Sequence, residues 1–373
     1  MGILTKAGSV VVAAATALAF ALIPSGAYAL GTELPVQRIE GSNTHLAGSC
    51  DIAFGSDDKI YIANGAWTGG TPSVTVYAAD ATGNVAPIQE ISGGNTGFNN
   101  PCGIAVDSTY IYVSDLNGSL FLFPLAATGD VAPVHTFSVG GMQFGMDLSD
   151  SGDLAIGGES GVTVFPDVAQ LSGTSHKFSD ATTTKWTYDV AWDSNDGLYA
   201  AQSSDRTVIH LAPGAAVGAT PDQTMVITTN SAEPYGVAVR PHTGELLVAD
   251  VNNKSITGWS GSIDGSPAGD FEFSGSGTTI FPGPTGIAFG SDNRFGAVLY
   301  GSPADAVLVY DAAATGDPIA SNDGSSSDSS SSTELANTGI DARVLTGFGL
   351  FTALVGAAGV FLARRGRAST NRG

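Results

Sequence analysis

Three aspartates, two cysteines and five histidines are the side chains here whose type and spacing could do chemistry. Asp51 and Asp189 open the runs D-I-A-F and D-V-A-W, and Asp250 closes the run L-L-V-A-D. Carboxylates are hard oxygen ligands, suited to a divalent cation such as calcium. The same residues at strand ends also serve as turn-formers that bond their own backbone. Cys50 and Cys102 stand just ahead of two runs, S-C-D-I-A-F and P-C-G-I-A-V. They read either as a disulfide or as two small buried thiols, since Tyr188 and Tyr235 take the same place in other runs. No histidine recurs beside them, so neither reading gives a nucleophile. His45, His135, His176, His210 and His242 form no H-x-x-x-H pair and lie near no cysteine at ligand spacing. Nucleophile elbow, phosphate loop and dinucleotide fingerprint are all missing from the sequence. The expected cofactor is none.

An internal repeat must position these residues. S-C-D-I-A-F-G returns as P-C-G-I-A-V-D, T-Y-D-V-A-W-D, P-Y-G-V-A-V-R and P-T-G-I-A-F-G, with a weaker copy at F-G-M-D-L-S-D. The copies recur every 42 to 52 residues or so. Each is followed by a second and a third short apolar run, such as Y-I-Y-V-S-D and then S-L-F-L-F-P. Alternating runs bounded by Gly, Asp, Asn and Pro read as strands and turns. Four antiparallel strands at this period match a β-propeller blade. Small residues in G-I-A-V and G-V-A-V suit inner strands crowded on an axis. Near such an axis Cys50 and Cys102 come close, so a disulfide is sterically possible.

Residues 35–44 copy residues 87–96, which makes the N-terminal stretch an outermost blade strand placed ahead of the first inner strand. The last repeat lacks a clear fourth strand, so residues 35–40 are expected to complete it and remove the exposed edges. The expected fold is all-β: a six-bladed β-propeller over 30–320, closed by the N-terminal strand, plus a signal peptide and a C-terminal transmembrane helix. A ring of polar groups is expected at the propeller mouth. It comprises Asn64, Asp115, Gly158, Gln202, Asp250 and Ser302 at the second-strand ends. At the inner-strand starts stand Asp51, Gly103, Gly145, Asp189, Gly236 and Gly286.

The two ends concern location. Residues 1–29 carry Lys6, an apolar run and Ala27-Tyr28-Ala29, the pattern of a signal peptide cleaved after Ala29. Residues 321–334 are a Ser-rich spacer expected to be disordered. Residues 344–363 are uncharged and long enough to span a bilayer. Four arginines in the basic tail 364–373 place that end in the cytoplasm. Between spacer and span, 335–339 read Leu335-Ala336-Asn337-Thr338-Gly339.

With the span and the arginines, this pentapeptide resembles the sorting signal of Gram-positive surface proteins, with Ala336 where the usual motif has Pro. The resemblance implies sortase cleavage after Thr338, wall attachment through Thr338, and a cell-surface location. The P-x-G-I-A-x-D and Y-V-x-D elements resemble NHL-type repeats and the lactonase-like six-bladed propellers, which implies a scaffold and, for the latter, the alternative of an axial divalent cation such as calcium on Asp51, Asp189 and Asp250.

Between residues 30 and 338 stand 8 basic against 34 acidic residues, which excludes a nucleic-acid partner. The leading expectation is a monomeric, non-catalytic surface binding, adhesion or scaffold module, more a binder than an enzyme. Its partners would be sortase, the cell envelope and an unnamed protein, glycan or small-molecule ligand. The alternative is an extracytoplasmic metal-dependent hydrolase or lyase using the axial mouth.

Overall fold

The computed structural model describes residues 34–311, apart from 67–68, 169–175, 179–184, 230, 242, 275–282 and 302–304. Six four-stranded antiparallel sheets make up this body. Their inner strands are Ser49–Phe54, Pro101–Val106, Gln143–Leu148, Asp189–Trp192, Pro234–Val239 and Pro284–Phe289, opening blades 1 to 6 in chain order. Blade 1 continues through Ile60–Asn64 and Ser73–Tyr77 to the outer strand Gln89–Ser92. Blades 2 to 5 repeat this order without a crossover.

Blade 6 is built from both ends of the body. Its first three strands are Pro284–Phe289, Phe295–Leu299 and Ala306–Tyr310, and its outer strand is Gln37–Glu40. Gln37 pairs with Val309 and Glu40 with Ala306 in antiparallel register. The N-terminal strand thus closes the ring, as the copied P-V-Q-R-I-E stretch requires.

Every seam between blades holds an apolar cluster. Between blades 1 and 2 it includes Val74, Val76, Ile91, Ile104, Val113 and Phe123. Between blades 6 and 1 it includes Ile39, Ile52, Ile62 and Val307. Alternate residues of the second and third strands fill one seam or the next, so these strands are buried on both faces. Each such Val, Ile or Phe contributes about 1.5–3 kcal/mol.

The expected transmembrane element is corrected. Among the described residues no helix is long and apolar enough to cross a membrane. The signal peptide 1–29, the spacer 321–334, the pentapeptide 335–339, the span 344–363 and the tail 364–373 lie outside the described residues. The fold described is the all-β propeller alone, and the membrane-spanning C-terminus and surface-anchored location drawn from that helix have no support in it.

Candidate active site at the propeller mouth

The inner strands converge with two rings of side chains facing the axis. The first is Asp51, Gly103, Gly145, Asp189, Gly236 and Gly286; two residues further on, five alanines and Asp147 form the second. The glycines of the first ring make room for the acids. A Cβ on Gly145 would lie 2.2 Å from Asp189 Oδ1, and one on Gly286 would lie 2.7 Å from Asp51 Oδ1.

Each acid also ties its blade to the next. Asp51 accepts from the Ile52 N–H at 2.8 Å and from Ile104 in blade 2 at 3.0 Å. Asp147 accepts from Leu148 and from Trp192 in blade 4, both at 2.8 Å. Asp189 accepts from Val190 and from Val237 in blade 5, both at 2.9 Å.

The three carboxyls line one axial cavity of about 430 Å3, which runs on to Ser194 and Pro241 in the turns at the opposite end. Burial pushes Asp51 up to about 7 and Asp147 up to about 6. Burial first, then repulsion from Asp51 and Asp147, raises Asp189 well above the usual carboxylate range. Near neutral pH the channel therefore holds fewer than three full charges.

Above this cavity the chain bulges. In five blades the register of inner on second strand shifts at the inner-strand start, as between Ser49 and Asp51 or Pro234 and Gly236. A bulge leaves one residue unpaired and re-aims its side chain. Going round the ring, that place is held by Cys50, Cys102, Phe144, Tyr188, Tyr235 and Thr285. None of these lines the cavity below, so the ring separates channel from mouth.

Cys50 and Cys102 form a disulfide, Cα to Cα 5.0 Å, joining blades 1 and 2. Across the axis Phe144 stacks on Tyr188 at 4.6 Å and Tyr188 on Tyr235 at 4.1 Å. Trp186, half-buried, leans on Phe144 at 5.8 Å and on Tyr188 at 6.1 Å.

The rim above this arc carries one acid. Two residues ahead of the ring stand Gly48, Asn100, Met142, Trp186, Glu233 and Gly283. Glu233 is half-buried, and its Oε2 accepts from Asn252 Nδ2 at 2.7 Å. Burial, then repulsion from Asp250, raises its carboxyl above the ordinary range. Burial pushes the Tyr188 hydroxyl up to about 12. Burial, then Tyr188 and Glu233, raise Tyr235 well above the ordinary tyrosine range. Glu233 thus holds its proton more readily than an ordinary carboxyl, beside two tyrosines that stay protonated.

The expected axial trio is brought together only in part. Asp51 and Asp189 face the channel, but Asp250 does not. It accepts the N–H groups of Glu233, Asn252 and Asn253 at 2.9–3.1 Å and so shapes the loop at the end of its strand. The third channel acid is Asp147, hidden in the weakest repeat copy. Its signal was present, because it is the one acid where every other copy has alanine. The oxygens of Asp51 and Asp189 are committed to backbone N–H groups. Among the described residues no group of three His, Cys, Asp or Glu could hold a metal ion. The residues present do not fit the axial cation.

The histidines lie away from the mouth or outside the description. His45 meets Glu90 at 2.9 Å on the surface, and His135 packs beside Tyr110 and Phe137. His210 lies between Asp222 at 2.8 Å and Asp193 at 3.1 Å. His176 is in the outer strand of blade 3, and His242 and Ser302 lie outside the described residues.

No known family model matches the chain, and no curated protein matches it. The architecture is nevertheless shared with solved propellers. A streptogramin B lyase structure is 12% identical, with a TM-score of 0.50 over 70% of this chain and 79% of that one. A catalytically inactive histidine-to-alanine variant of virginiamycin B lyase from Staphylococcus aureus, with quinupristin, is 11% identical at 0.50 over 74% and 88%. A selenomethionine form of virginiamycin B lyase from the same organism gives 11%, 0.50, 74% and 87%. At such identity the likeness establishes the fold and nothing finer. No match supports NHL repeats or a sortase signal, and solved propellers of like fold include lyases, so the fold gives no ground for the expected non-catalytic reading.

Proposed function

We propose that this propeller is an enzyme of lyase or hydrolase type whose substrate lies across the mouth, over the Phe144–Tyr188–Tyr235 arc. The observation that carries the reading is Glu233. It is a half-buried rim carboxyl with its pKa raised, above the stacked Tyr235 and Tyr188 and the half-buried Trp186.

An elimination takes a proton from carbon while the bond to a neighbouring leaving oxygen breaks, and a proton must then reach that oxygen. Glu233 in its ionised form serves as the base. Tyr188, neutral across the physiological range, hydrogen-bonds the leaving oxygen, and protonated Glu233 returns the proton. A carboxyl with a raised pKa suits both halves of that cycle. Trp186 and the upper edge of Phe144 offer apolar contact to the rest of the substrate. The acidic surface favours a neutral or cationic substrate over an anionic one.

The fold shared with the streptogramin-type lyases supports this class of chemistry and makes their compounds the first to try. The purified protein is incubated with quinupristin and with a panel of simple lactones, and products are read by mass spectrometry. Turnover that Glu233→Gln abolishes without lowering the melting temperature supports the reading. Turnover unchanged in Glu233→Gln sinks it.

A further inference from the structure

The outer strand of a blade ends in a row of unpaired backbone groups, and three blades cover that edge in the same way. On blade 6, Gly83 donates its N–H to Arg38 O at 2.6 Å and accepts from the Glu40 N–H at 3.2 Å, a parallel bridge to Ile39. On blade 1, Gly129 donates to Glu90 O at 2.6 Å and accepts from Ser92 at 3.2 Å. On blade 4, Gly265 donates to Thr224 O at 2.9 Å and accepts from Val226 at 2.7 Å.

Each strap comes from the turn that follows the third strand of the next blade. Its glycine has φ of 77°, 76° or 85°. In each case it stands six residues after an aromatic at the end of that strand: Tyr77, Phe123 and Trp259. A residue two before the glycine packs inward, Ala81 and Ile263 being buried. Threonine reinforces two of the straps, Thr82 Oγ1 donating to Arg38 O at 3.4 Å and Thr128 Oγ1 to Glu90 O at 3.2 Å.

Blade 5 has the same edge, on its outer strand Phe271–Ser274, and among the described residues nothing pairs with it. The next third strand is Ala306–Tyr310 of blade 6. From its Tyr310 the sequence runs Y-D-A-A-A-T-G-D, against Y-A-A-D-A-T-G-N for the strap on blade 6 and F-P-L-A-A-T-G-D for that on blade 1. Gly316 stands six residues after Tyr310, Thr315 precedes it as in both, and Ala314 matches Ala81 and Ala127 in sequence position.

We infer that the edge of blade 5 is an interaction surface whose partner is residues 311–317 of this same chain. Docked as Gly83 is on Ile39, this segment would meet Glu272 O and the Ser274 N–H on either side of Phe273. The ring is then fastened twice, by the N-terminal strand on blade 6 and by the C-terminal strap on blade 5. This inference is independent of the chemistry proposed at the mouth.

Amide exchange at Ser274 tests it in the full chain, with Ser92 under its own strap as an internal reference. Gly316→Val is the first variant, because a β-branched residue resists positive φ; a chain ending at Asp311 is the second. The expected result is Ser274 protection close to that of Ser92 in the parent and exchange at least tenfold faster in both variants, with Ser92 unchanged. Equal Ser274 exchange in parent and variants overturns the inference. Protection that appears only at concentrations where the protein dimerises overturns it too, because a second copy then covers the edge.

Discussion

The two halves of the mouth ring use one backbone position in opposite ways. On blades 1 and 2 the bulged residue is cysteine, and the pair is bonded covalently. On blades 3 to 5 it is aromatic, and three rings stack in sequence. The disulfide half offers one inert bond beneath a rim of Gly48 and Asn100. The aromatic half offers two hydroxyls beneath Trp186 and Glu233. Both halves hold blades together at the axis, but only the aromatic one places exchangeable protons at the surface. Structural work shared around a ring leaves one arc free to differ.

The sharpest test of this contrast compares rim residues on the two sides. Glu233→Gln is expected to lower turnover roughly 10²–10⁴-fold, whereas Asn100→Ala on the disulfide side leaves it unchanged. Equal losses in a steady-state assay would erase the distinction.

Next in size is reduction of Cys50–Cys102, which closes a loop of 52 residues. The expected loss is about 4 kcal/mol in a denaturant titration, with turnover retained wherever the protein stays folded.

Below the ring the halves should behave alike. Asp51→Asn and Asp189→Asn each turn an amide N–H towards a backbone donor, at a cost of about 1–3 kcal/mol by thermal melting. Both groups have folded pKa values above the unfolded value. The folded chain therefore binds more protons between about pH 4 and 7, and stability falls as pH rises through that window. The parent should melt several degrees higher at pH 5 than at pH 8. Either variant should flatten that slope.

The smallest effect is expected from Tyr188→Phe, which keeps the ring stack on Phe144 and Tyr235 and removes the hydroxyl. It should lose about 1 kcal/mol of stability and roughly tenfold in turnover, the equivalent of about 1.4 kcal/mol.

Much of the scaffold was legible in the chain because a propeller is periodic. The inner-strand motif fixed six blades, and the copy of residues 87–96 at residues 35–44 fixed how the ring closes. The site was far less legible. Asp250 looked like a partner of Asp51 and Asp189 because all three border apolar runs. It stands at the end of a second strand, where a carboxylate caps its own loop and never reaches the axis. Asp147 was overlooked because its copy, F-G-M-D-L-S-D, departs most from the pattern, although that departure is what sets it apart. Glu233 gave no signal of its own, since rim residues precede the conserved-looking motif and share no type from blade to blade.

The sequence by itself determined the repeat, the small residues that let six sheets converge, and the turn glycines that need positive φ, because these are local demands on backbone and volume. Tertiary structure alone decided which repeat-equivalent residues share an environment. Asp51 bonds Ile104, Asp189 bonds Val237, and Tyr188 stacks between Phe144 and Tyr235, each contact spanning a whole blade of intervening chain. Burial and charge act through space, so the pKa shifts and the aromatic arc arise only once the ring has closed.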